Sequence, residues 1–139
     1  MKLKVVLSIS ALLMALVISC QSPDALDFDR YYSQGRIIYQ TRCQNCHDEH
    51  GQGLNWLIPP LTDSAYLKSH LHQLPCYVQN GVSGKMTLTI KTFDGQMPSN
   101  SDLANIEIAE VLTYVTNSFG NKMGVFKVET VNQDIRNCR

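Results

Sequence analysis

The sequence predicts a small, predominantly helical domain behind a short apolar leader. Three observations carry that expectation. Ile108, Val111, Leu112, Val115 and Phe119 form an apolar stripe at helical spacing. Tyr32, Gly35 and Tyr39 fall on one helical face at i, i+3, i+7. Alternation of period two is confined to Met86–Lys91, enough for one short strand or extended loop. The chain has 139 residues, which leaves one domain with a modest core once the leader is set aside.

The leader comes first. Lys2 and Lys4 make a basic head, and Val5 to Ile18 is an uncharged run of fourteen residues. A membrane span needs about 20 apolar residues, so this run suits a signal segment better than a permanent anchor. It ends in Val17-Ile18-Ser19-Cys20, which resembles the lipobox of bacterial lipoproteins. That resemblance implies cleavage after residue 19 and a lipid on Cys20, so the protein is expected to be membrane-anchored on the extracytoplasmic (periplasmic) side; the alternative is an uncleaved or ordinarily cleaved signal with an incidental cysteine. Acyl chains of this kind hold firmly, at about 0.8 kcal/mol per buried CH₂. The expected layout is a signal peptide at 1–19, a tether at 20–28 and one domain at 29–139.

The remaining elements follow in order. Asp29 to Arg42 reads as a helix with Asp29 as its cap. Residues 43–62, rich in Gly, Asn, Asp and Pro, read as a long loop, which a compact domain keeps only for function. Thr62–His70 and Leu74–Asn80 read as two short helices, the second stopped by Gly81. Asp102–Phe119 is the strongest helix, with Ser101 as a cap and Gly120 as its end. Residues 125–138 form a weakly amphipathic tail.

The chemistry sits at Cys43-Gln44-Asn45-Cys46-His47. Two cysteines three apart reach the edge of one planar ligand, and the following histidine points at its centre. That is the pattern for one covalently attached haem c, with thioethers on Cys43 and Cys46 and iron on His47. A zinc site needs a second matching pair, which the sequence lacks. A thioredoxin-like pair needs a preceding strand, where a helix is expected. For the sixth iron ligand the sequence offers Met86, Met97 and Met123. Met97 is preferred, because it lies in the turn-rich run Phe93-Asp94-Gly95-Gln96-Met97-Pro98-Ser99 before the strong helix. Met86 reads as a packing residue and Met123 as part of the tail. His70 or His72 are alternative ligands; His50 is too close to His47 to cross the haem plane.

With Cys20, Cys43 and Cys46 assigned, Cys76 and Cys138 remain. An exported chain keeps disulfides, so a Cys76–Cys138 bridge is expected, the alternative being two buried thiols.

From about Asp29 to Gly120 the chain resembles a class I, mitochondrial-type, mono-haem cytochrome c. The matching residues are Gly35, Tyr39, Cys43-x-x-Cys46-His47, Pro59-x-Leu61, Met97-Pro98 and Tyr114. The resemblance implies an all-α cytochrome c fold. Its first and last helices cross at Gly35, the haem lies in a cleft, and the residues after Gly120 are a C-terminal extension. It further implies that the Pro59 carbonyl, with Pro60 beside it, accepts a hydrogen bond from His47, and that Leu61 and Trp56 wall the haem; for Trp56 the alternatives are covering the core edge or donating its indole N–H to a propionate.

The function this implies is electron transfer by a carrier, not an enzyme, through transient docking with redox partner proteins. Two alternatives remain: a haem subunit of a larger oxidoreductase, or a haem enzyme or gas sensor with a labile sixth ligand. Removing Lys2 and Lys4 from 12 basic residues leaves 10 against 12 acidic, a net −2, which speaks against a nucleic-acid partner.

Overall fold

The structure is a computed structural model that describes residues 3–7, 9–10, 23–55, 57–89 and 91–138. Cys20 and Trp56, with the cleavage point expected before Cys20, lie outside the described residues. No described helix is long and apolar enough to cross a membrane.

Helix α1 spans Pro23–Ile38 and runs on through a π-helical turn, Tyr39–Cys43, into the short helix α2, Gln44–His47. It starts six residues before Asp29, inside the stretch expected to be a tether. Pro23 suits a first helical position, Asp24 favours the positive N-terminal dipole, and Phe28 stacks on Tyr32 at 5.6 Å. Helix α3, Ser64–Ser69, is capped by the Asp63 carboxylate, which accepts from the Tyr66 amide at 3.0 Å. A 3₁₀ turn, Leu71–Gln73, leads into α4, Leu74–Asn80. Helix α5, Asn105–Val115, carries the apolar stripe, with Ile108, Val111, Leu112 and Val115 buried. Ser101 does not cap it. Its first turn is closed instead by Glu107, whose carboxylate accepts from the Ala104 amide at 2.8 Å. Helix α6, Val128–Arg136, lies in the tail.

The fold departs from all-α at one place. Strands β1, Val82–Thr87, and β2, Thr92–Met97, form a two-stranded antiparallel sheet with Val82 opposite Met97 and Met86 opposite Phe93. The alternation that suggested one short strand marks the end of β1 and the turn. The second strand was hidden because Asp94 and Gly95 read as turn residues.

α1 and α5 cross at Gly35. A Cβ there would run into the Glu110 carbonyl and the Tyr114 side chain, so only a bare backbone lets the helices approach this closely. Tyr39 packs beside the crossing, its ring 5.2 Å from Tyr114 and 5.3 Å from Phe119. The tail closes the molecule from behind. α6 buries Val131 against the core, and a disulfide joins Cys138 to Cys76 in α4.

Candidate functional site

A cleft of about 1130 Å³, open mouth included, lies between the Cys43–His47 turn, the 57–61 loop, α4, α5 and the β-hairpin. Its walls are almost wholly apolar: Leu61, Leu67, Leu74, Val111, Leu112 and Val115 from the protein interior, with Met86, Phe93 and Met97 from the hairpin.

Cys43, Cys46 and His47 all face this cleft. Cys43 is half-buried, Cys46 is exposed, and neither is in a disulfide. Burial pushes the Cys43 thiol up to about 11, helped by Cys46 beside it and opposed by Arg42. A buried neutral thiol is the opposite of a redox-active pair, whose first cysteine is held as thiolate.

His47 is buried, and its Nδ1 lies 3.1 Å from the Pro59 carbonyl. A carbonyl only accepts, so Nδ1 carries the proton and Nε2 keeps its lone pair. Burial holds the ring below its ordinary pKa, partly opposed by the same Pro59 bond. The ring is therefore a neutral, oriented nitrogen donor. Local backbone builds this contact. Gly53, at φ +68°, donates to the His47 carbonyl at 3.0 Å, and a Cβ there would collide with the Ile58 and Pro59 carbonyls. Leu61 is anchored by its amide on the Gly51 carbonyl at 2.7 Å.

Met97, the last residue of β2, lines the same cleft. So does Met86, which the sequence suggested only as a packing residue. The alternative histidines lie elsewhere. His70 bonds Tyr66 and Ser69, and His72 pairs with Asp134 at 3.1 Å; neither lines the cleft.

A donor set of two cysteines, an oriented neutral histidine and a thioether around an apolar slot suits a covalently held, planar metal macrocycle. The family model described as "Cytochrome C oxidase, cbb3-type, subunit III" matches residues 31–115. The chain belongs to this family of c-type cytochromes. The cytochrome is also similar to cytochrome c-552 of Thermus thermophilus, 27% identical over 93 residues that cover 64% of this chain and 70% of that protein. As a member of the family it carries covalently bound haem c with iron, and its chemistry is haem-based electron transfer. Cys43 and Cys46 would hold the ring, and His47 and Met97 the iron.

Sequence reading missed Asn121. It is buried behind the cleft, donates to the Leu61 and Val115 carbonyls at 2.9 and 3.0 Å, and accepts from Ser64. It fastens the Pro59–Leu61 loop to the end of α5. An isolated asparagine after a helix carries no pattern that announces such a role.

Proposed function

We propose that this cytochrome is a mono-haem electron carrier with His47 and Met97 as axial ligands, working on the extracytoplasmic side of a membrane to which a lipid on Cys20 anchors it. The observation that supports the ligand assignment is that Met97, followed by Pro98, lines the cleft into which Cys43, Cys46 and His47 face; Met86 lines it too, and the Met97-Pro98 pair is what favours Met97. Bound haem supplies an iron that exchanges one electron. The protein's contribution is to hold that iron's surroundings still. Pro59 fixes the His47 ring, the thioether of Met97 is a soft neutral donor that favours the ferrous state, and apolar walls exclude water. Little needs to rearrange when the charge changes, and no side chain has to act as acid, base or nucleophile. Electrons would enter and leave through the haem edge near the thioethers of Cys43 and Cys46, reached by brief contacts with redox proteins. The leader pattern and the Cys76–Cys138 disulfide support an oxidising, extracytoplasmic location.

Spectra of the matured protein test the ligand assignment. Wild type should be low-spin in both oxidation states and slow to bind carbon monoxide, and Met97→Ala should bind it readily. A wild type that binds carbon monoxide freely would refute Met97 ligation and favour a catalytic or sensing role. The family description favours one further reading, a haem subunit of a larger oxidoreductase. Co-purification of a stable partner in mild detergent would support it.

A further inference from the structure

The β1–β2 hairpin is fastened at both ends across the haem cleft. At its base the Gly81 amide donates to the Tyr77 carbonyl at 3.0 Å, and the Asn100 amide to the Val78 carbonyl at 3.0 Å. A Cβ on Gly81 would strike the Met97 carbonyl, so the two legs are pinched together where β1 leaves α4. Opposed residues of an antiparallel pair share a face. Val82 with Met97, and Met86 with Phe93, therefore point together, and all four line the cleft. At the turn, where Leu88 donates to the Lys91 carbonyl, the hairpin reaches the far rim. There the Thr89 amide donates to Asp63 Oδ2 at 2.9 Å, and the Thr89 hydroxyl to Asp63 Oδ1 at 2.9 Å. Lys91 Nζ donates to the Asn55 carbonyl at 3.0 Å.

A two-stranded hairpin alone is marginal in water. Its place over the cleft depends on its two anchorages, and at the tip Asp63 supplies two hydrogen bonds beside the one from Lys91 to Asn55. We propose that the hairpin is a clasp over the haem and that Asp63 is the positioning residue that fastens it, holding the strand that ends in Met97 against the iron. The proposal rests on the reading of Met97 as axial ligand. Asp63 uses its two oxygens for two tasks, since Oδ1 also accepts from the Tyr66 amide at the start of α3. The clasp is thereby tied to the helix that supplies Tyr66 and Leu67 to the cleft.

The test uses the matured holoprotein and the variants Asp63→Asn, Asp63→Ser, Thr89→Val and Met97→Ala. Asparagine and serine both still cap α3. Asparagine turns a donor toward the Thr89 amide, and serine is too short to reach it. Two quantities are read: amide hydrogen exchange across residues 82–97, and the rate of carbon monoxide binding to the ferrous form. For both Asp63 variants we expect each to rise about tenfold, equivalent to about 1.4 kcal/mol. Thr89→Val should show a smaller rise, and the spectrum should remain low-spin at rest. Wild-type exchange and binding rates in both Asp63 variants would overturn the clasp and leave Asp63 a helix cap only. If wild type already binds carbon monoxide as fast as Met97→Ala, the ligand reading fails. The clasp is then decided by hydrogen exchange alone, which needs no sixth ligand.

Discussion

Replacing both Cys76 and Cys138 with serine should cost this cytochrome about 4 kcal/mol while leaving its haem site intact. The bridge closes a loop with a sequence separation of 62. In the chain-entropy account, such a cross-link removes about 14 cal/mol/K from the unfolded ensemble, or about 4 kcal/mol at 25 °C. Little native-state loss should be added, because the tail is held by other contacts. The Phe126 amide donates to the buried Thr113 hydroxyl at 2.9 Å, Val131 is fully buried, and Asn105 donates to Asn132 at 2.6 Å. The assay is guanidinium unfolding of the ferric holoprotein followed by far-ultraviolet circular dichroism, wild type against the double variant. A slope that steepens when the cross-link is removed would accompany the loss, since the freed denatured chain exposes more surface. Total stabilities of domains this size are about 5–15 kcal/mol, so the variant should fold but unfold early. A loss under about 1 kcal/mol would refute the entropic reasoning. So would a double variant that loses its low-spin spectrum, because the bridge would then be shaping α4 and its cleft residues Leu74, Tyr77 and Val78 directly.

Three further outcomes are expected. Gly35→Ala gains about 1 kcal/mol in helix propensity but drives a methyl into the Glu110 carbonyl; because backbone cannot swing aside, the overpacking cost is near the top of its usual span, about 3 kcal/mol, so a net loss of about 2 kcal/mol should appear in thermal melts, and an unchanged melting point would contradict the crossing. Burial, and then the nearby Glu107, raise the Glu110 carboxyl, with Arg30 opposing. The folded state therefore holds that proton more tightly than the unfolded state, and stability falls as pH rises from the ordinary value of about 4.3 through the raised one. Glu110→Gln should remove that slope and be no less stable than wild type at pH 7, and urea titrations at several pH values decide it. Cys20→Ser should abolish detergent-phase partitioning of the processed protein, and a variant still firmly membrane-bound would rule out the lipid.

How much was legible in the sequence depends on how local each signal is. The haem motif, the stripe on α5 and the Gly35–Tyr39 spacing are short-range patterns with one physical meaning, and the structure places them at one crossing and one cleft. The hairpin was half legible. The side-chain alternation ending at Lys91 announces extended chain but not where the chain reverses, and Gly95 disguised β2 as a turn. Asp29 suits a helix cap, but helix α1 begins six residues before it because Pro23 and Asp24 already satisfy a helix start. Asn121 and the double duty of Asp63 are long-range hydrogen bonds, between residues 60 and 26 positions apart, and no window along the chain contains both partners.

The central claim is that Met97 and no other methionine binds the iron opposite His47. The most direct test is an NMR spectrum of the reduced holoprotein labelled at its methionine methyl groups. Among Met86, Met97 and Met123, one methyl should be driven far upfield by the haem ring current. It should vanish in Met97→Ala and persist in Met86→Leu. An upfield methyl that survives Met97→Ala, or none at all in wild type, would contradict the account.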